Sequence, residues 1–256
     1  MKATSPLFLV VMFGMIIVTF FTPDARLFRE PTLARIIFYH VPCAFVATGF
    51  LFGMAWFAIR HLYPAIKSRK ERPFEKSFGF WDLRLQAATE MGTLYAALTL
   101  FTGMIFSYYQ WGDWWHWDAR QTSFLIVTLM FGGAIALRTA FTDDQKKASA
   151  SSVYALAMQI PAVFLTFVYP NIPAVKQQSL HPTGVVVENK MDLWYVIPFY
   201  GMLIMFIIIA VTIYKLKVRA GMVGLALEAK DGMDTIGSRN TAPAGHVRPV
   251  ALHDER

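Results

Sequence analysis

The sequence is short of cysteine and of charge. A single cysteine, Cys43, in 256 residues excludes an internal disulfide and a cysteine-built zinc site. It also excludes C-x-x-C-H attachment, which takes two thiols. Charged residues make up 16% and hydrophobic residues 55%, against about 25% and 45–50% in soluble domains. That balance argues against a solvated globular enzyme and against a disordered chain. No G-x-x-x-x-G-K-[ST] loop occurs, so the chain does not hydrolyse ATP in the P-loop manner. No Ser/His/Asp arrangement or Cys nucleophile stands out, and no catalytic residue is assigned. The net charge of +7 suggests nucleic acid in a soluble chain. Here the placement of the charges matters more than their sum, and no nucleic-acid partner is expected.

What the chain has is apolar and aromatic. Phe occurs 22 times, Met 13, Tyr 10 and Trp 7. A helix crosses a bilayer with roughly 20 mainly apolar residues. Six segments approach that length: Leu7–Thr22, Ile36–Ile59, Met91–Tyr109, Thr122–Leu137, Val153–Tyr169 and Leu193–Tyr214. The expected fold is all-α, a polytopic membrane protein of six transmembrane helices. The first segment lacks a small-residue cleavage pattern in Thr19-Phe20-Phe21-Thr22-Pro23 and reads as an uncleaved helix. Pro161, which donates no backbone hydrogen bond, predicts a kink in the fifth span.

The basic residues vote on orientation. Arg60, Lys67, Arg69, Lys70, Arg72, Lys76 and Arg84 crowd one loop, Arg138, Lys146 and Lys147 the next on that side, and Lys215, Lys217 and Arg219 follow the sixth span. By the positive-inside rule both termini are cytoplasmic, as six spans require. The external loops are then Pro23–Arg35, Gln110–Gln121 and Pro170–Asp192. Two regions follow: a membrane domain over residues 1–219, with an external Trp-rich loop at about 110–121, and a flexible cytoplasmic tail over 220–256, polar and expected to hold little fixed structure.

Four tryptophans fall in one heptapeptide, Trp111-Gly112-Asp113-Trp114-Trp115-His116-Trp117, followed by Asp118-Ala119-Arg120. A helical reading puts Trp111, Trp114, Trp115 and Asp118 on one face. An interfacial aromatic belt explains one or two tryptophans at a helix end. Four at this density suit a platform for a large flat apolar ligand: a porphyrin, a quinone or a lipid. Of six histidines, His61 reads as solvated in a basic loop, His246 and His253 as incidental in the tail, and His116 as water-facing within the Trp cluster. His40 and His181 both fall on the Trp side of the membrane. Ionisable groups at membrane depth are usually functional, and two imidazoles about a metalloporphyrin make six-coordinate iron. Arg120 suits a propionate, a guanidinium matching two carboxylate oxygens; alternatively Asp118 pairs with Arg120. Glu90 reads as a first-turn carboxylate at the inner interface, favoured by the helix dipole.

Residues 111–120 resemble the tryptophan-rich WWD signature of the haem-handling superfamily. Arg35-Ile36-Ile37-Phe38-Tyr39-His40-Val41-Pro42 resembles the second-helix segment of the haem exporter protein C family (CcmC-type), and Leu180-His181-Pro182 is similar to its second histidine loop. The resemblance covers residues 1–219. It implies a bacterial inner-membrane subunit of a cytochrome c maturation ABC complex, not an enzyme. It implies haem b bound non-covalently, with iron on His40 and His181 and the porphyrin packed by Trp111, Gly112, Trp114, Trp115, Trp117, Asp118 and Arg120. It implies as partners an exporter ATPase, a second permease, a small single-helix subunit, membrane lipid and a periplasmic haem chaperone that receives the haem. Other readings are a cytochrome c synthase subunit of the other maturation pathway, which tends to be longer, a permease with only a Trp belt, and an electron-transfer cytochrome.

Overall fold

Residues 5–26, 28–67, 74–181 and 191–241 are described in a computed structural model of the chain. Arg69, Lys70, Arg72, Pro182, Lys190, His246 and His253 lie outside them. The described residues are helical with no strand. Ser5 caps α1 (Pro6–Phe20) by accepting the Phe8 amide hydrogen bond at 3.2 Å, and Pro6 opens its first turn. A 3₁₀ turn, Pro31–Ile36, leads into α2 (Ile37–Lys67). Then come α3 (Phe74–Trp111), α4 (Ala119–Thr139), α5 (Asp144–Ala157), α6 (Gln159–Val163), α7 (Pro173–Lys176) and α8 (Leu193–Thr241). Between α6 and α7 the backbone winds as a π turn, Phe164–Val168, and a 3₁₀ turn, Tyr169–Asn171. The break between α5 and α6 falls at Met158. Its cause is Pro161, which leaves the Ala157 carbonyl without its helical donor.

Among the described residues, five stretches are long and apolar enough to cross a membrane: Pro31–Tyr63, Gly79–Trp111, Ala119–Thr139, Asp144–Asn171 and Leu193–Glu228. At 15 residues, α1 is shorter than that. Two helices outrun the apolar segments that mark them. Helix α3 begins at Phe74 rather than near Met91, and α8 continues to Thr241, so residues 220–241 are helical where composition leads one to expect little fixed structure.

The central pair is α2 and α3. Ala47 and Ala58 on α2 and Ala88 and Ala96 on α3 are buried, and small side chains let helix backbones approach where lipid offers no hydrophobic drive. Leu51, Met54, Leu85, Met91 and Phe131 fill the space around them. A second cluster of Phe38, Phe199 and Met202 joins α2 to α8. Phe13, Phe45, Leu129, Ile160 and Ile204 stand exposed on the outer faces, as a lipid-facing surface requires.

The two ends of the bundle differ. At the basic end, Arg138 at the close of α4 forks onto Asp82 of α3, with Nη1–Oδ1 at 2.7 Å and Nη2–Oδ2 at 2.9 Å. The guanidinium also donates to Gln86 Oε1 and Ser151 Oγ. Gln86 donates to Glu90, and Glu90 pairs with Lys217 of α8 at 2.7 Å. Two sequence readings need correcting here. Glu90 is mid-helix, not in a first turn, because α3 starts sixteen residues earlier; its partner is a side chain, not the helix dipole. His61 is buried on α2 rather than solvated, because α2 runs on past Ile59 and turns that face into the bundle.

Removing one member of a buried ion pair strands the other charge, at about 3–5 kcal/mol, whereas a half-exposed pair contributes within about 1 kcal/mol. The Asp82–Arg138 pair is mostly but not fully buried, so Asp82→Ala is expected to lower stability in mixed-micelle denaturant titrations by about 2 kcal/mol, and Glu90→Gln by under about 1 kcal/mol. Equal effects would contradict this ranking.

Candidate functional site

At the other end, four connections lace the loops together. Tyr195 Oη on α8 donates to the Pro23 carbonyl at 2.7 Å. Gln110 near the end of α3 donates to the Glu30 carbonyl at 2.9 Å. Arg120 Nη2 donates to Asn171 Oδ1 at 3.1 Å. Asp118 Oδ2 accepts from the Leu180 amide at 2.8 Å. The loops on both sides of the His181 segment and of the Trp motif are thus held at one end of the bundle.

The Trp motif is not a helix. Gly112 takes φ +96°, a left-handed backbone suited to glycine, and ends α3 there. Asp118 is the N-cap of α4, its Oδ1 accepting from the Arg120 amide at 2.8 Å, as Asp at that position favours. Between them Trp117 also adopts positive φ, 54°, unusual for a bulky residue. The one-face alignment of Trp111, Trp114, Trp115 and Asp118 is therefore not realised. The rings sit instead around a short loop. Trp111 stands edge-on to Phe106 and to His116. Trp114 stacks on Tyr108 with centroids 4.7 Å apart and planes 19° apart. Trp115 meets Trp117 edge-to-face at 6.0 Å. Trp117 is 76% exposed, the most open indole in the loop. His116 is half-buried against Trp111 rather than water-facing.

The two candidate ligand histidines meet. His40, one turn into α2, and His181, in the loop after α7, have ring centroids 6.3 Å apart with planes tilted by 42°. Burial holds the His181 imidazole down at about 3, with the charges of His40 and Arg120 acting the same way against Asp118. Its ring is neutral at neutral pH, the form that binds metals. His40 Nδ1 lies 3.0 Å from Thr102 Oγ1 on α3. Among the described residues no group of three or more His, Cys, Asp or Glu comes together. Two protein nitrogens are too few for a tetrahedral zinc site but suit a ligand that brings its own donors.

Among the described residues, several buried side-chain atoms without a hydrogen-bond partner lie here: Trp115 Nε1, His116 Nε2, Arg120 Nε, Gln121 Nε2 and His181 Nδ1; Ser152 Oγ and Thr166 Oγ1 are others elsewhere in the bundle. Buried polar groups are nearly always paired, so such a run at one end suits a polar ligand. Asp118 and Arg120 share no side-chain ion pair; the Asp118 oxygens go to backbone amides and Arg120 reaches Asn171.

A model of one protein family, described as Heme exporter protein C, matches residues 2–231. The chain belongs to the heme exporter protein C family. The Heme exporter protein C of Bradyrhizobium diazoefficiens is 28% identical over 200 residues, covering 75% of this chain and 68% of that one. The Escherichia coli K12 protein of that name is 26% identical over 194 residues, covering 75% and 71%. The Haemophilus influenzae one is 32% identical over 126 residues, covering 49% and 46%.

For this member of the heme exporter protein C family, the fold brings His40, His181 and the Trp loop to one end. Sequence reading missed Thr102, Asn171 and the part played by the Leu180 amide. Thr102 was visible as a polar residue in an apolar run; the other two act through a backbone amide and across a 51-residue separation, which no pattern marks. Asp118→Ala removes both the α4 cap and the tether to Leu180. Cap loss alone costs about 1 kcal/mol. The expected outcome is faster hydrogen exchange at the Leu180 amide and in the first turn of α4, with exchange at the basic end unchanged.

Proposed function

We infer that the chain is a haem-binding membrane subunit of a cytochrome c maturation ABC complex and presents haem b at the periplasmic face to a periplasmic haem chaperone. The observation that carries this reading is the 6.3 Å separation of the His40 and His181 rings beside the Trp loop. Two metal–nitrogen bonds of about 2 Å, with half an imidazole on either side, add to roughly 6 Å. His40 and His181 would hold the iron, one on a helix and one on a loop. Trp111, Gly112, Trp114, Trp115 and Trp117 would pack the porphyrin, whose flat apolar faces suit indole rings. Arg120 keeps Nε unpartnered while Nη2 is anchored on Asn171; the anchored side chain is set for a carboxylate such as a propionate. Asp118 holds the frame and touches backbone only.

Haem, when bound, supplies a reactive vinyl edge. The chain's part is orientation, which lowers barriers by fixing reactants in register. With no nucleotide-binding loop, it works with an exporter ATPase, a second permease and a small single-helix subunit. In this reading α1 is a sixth span completed by flanking residues, both termini are cytoplasmic, and the membrane is the bacterial inner membrane. The basic end, with Arg60, Arg84, Arg138, Lys146, Lys147, Lys215, Lys217 and Arg219, supports that orientation.

The purified protein, expressed with ample haem, is expected to show a haem b absorption spectrum. His40→Ala and His181→Ala are each expected to perturb it, and Trp111→Ala to weaken haem retention. A haem-free protein, or a spectrum indifferent to both histidine variants, would overturn the assignment.

A further inference from the structure

We propose that Thr102 is a positioning residue that fixes the tautomer of His40, holding the proton on Nδ1 so that Nε2 keeps its lone pair for the iron. The proposal rests on the reading above that His40 is an axial ligand, and it deepens that reading. It stands on two distances and one steric contact.

A threonine hydroxyl has one hydrogen. Thr102 Oγ1 lies 2.7 Å from the Leu98 carbonyl, at the usual length for an O–H···O bond, and 3.0 Å from His40 Nδ1, at the usual length for N–H···O. A carbonyl only accepts, so the hydroxyl hydrogen goes to Leu98 or to the Thr99 carbonyl 3.2 Å away. The Thr99 carbonyl also accepts from the His40 ring and favours a proton on that ring in the same way. The Thr102 oxygen then accepts from Nδ1–H. The reverse arrangement needs an O–H···N bond and gives up the shorter contact.

The neighbouring residue shapes the same ring. A Cβ added to Gly103 would lie 3.1 Å from His40 Cε1 and 3.6 Å from Nδ1. Glycine lets the imidazole lie close against α3 with Nδ1 over Thr102. Consecutive residues of α3 thus set the proton and the placement of the ring. No such partner exists for the other imidazole: His181 Nδ1 has none among the described residues. His40 is preset by a helix, whereas His181 lies in the loop after α7. Partners of a ligating histidine's second nitrogen orient the ring and raise its basicity, and their loss typically weakens metal binding about 10–100-fold.

The test uses the full-length protein in lipid nanodiscs with ¹⁵N-histidine labelling. In haem-free protein, the His40 resonances, assigned by their loss in His40→Ala, are expected to show the Nδ1–H tautomer. Thr102→Val, nearly isosteric, is expected to turn this into a mixture, and Thr102→Ser to restore it. Loaded with haem, Thr102→Val is expected to lose haem about 10-fold more readily and to shift the reduction midpoint, while Thr102→Ser follows wild type. Circular dichroism identifies any variant that fails to fold, and the wild-type tautomer decides the matter without variants. An Nε2–H signature in wild type would overturn the proposal while leaving haem binding standing. So would a Thr102→Val protein with unchanged tautomer and midpoint. An Nδ1–H signature together with a haem spectrum indifferent to His40→Ala would instead overturn the ligation reading, and the proposal with it.

Discussion

One carboxylate joins the two halves of the site. Asp118 spends one oxygen on the Arg120 amide, capping α4, and the other on the Leu180 amide. Charge-assisted bonds of this kind are stronger than neutral ones, and a carboxylate accepting backbone amides anchors chain rather than side chain. Among the described residues, the stretch from α7 to His181 forms no further helix. That tether, with the His181 amide donating to Ser179 Oγ at 3.2 Å, holds the His181 segment near His40, which sits on a helix. The start of α4, just past the Trp motif, and the segment of the second histidine are therefore joined by the same side chain.

The rest of the bundle makes that end dependable. The α2–α3 pair closes on small buried residues, so His40 and the start of the Trp loop sit on elements whose register is set by packing. At the opposite end, the Asp82–Arg138 fork and the Glu90–Lys217 pair bind α3 to α4 and α8. Strong polar contacts are thus spent on holding helices at one end. At the other they hold loops and leave donors open. Such a division suits a protein that positions a ligand.

Much of this was legible in the sequence, for physical reasons. Apolar runs of bilayer length report where lipid meets helix, and they located α2, α4 and the composite fifth span. Hydropathy does not report where a helix ends beyond the lipid, so the close of α2, the start of α3 and the close of α8 were misjudged, and with the first two His61 and Glu90. The Trp motif shows a different failure. Periodicity at Trp111, Trp114, Trp115 and Asp118 suggested one helical face, yet Gly112 and Asp118 are stop and start signals in the same ten residues. The breakers won because a left-handed glycine and a capping carboxylate satisfy backbone groups that a continued helix would not. The His40–His181 pairing followed from placing both on one side of the membrane. The bonds that hold the pair did not, since they run through the Leu180 amide and one hydroxyl in an apolar helix.

The most direct test of the central claim is the spin state of ferric haem in the loaded protein, read by low-temperature electron paramagnetic resonance. Two imidazole ligands predict a low-spin signal that His40→Ala and His181→Ala each convert to high spin. A high-spin signal in the unaltered protein would contradict the account.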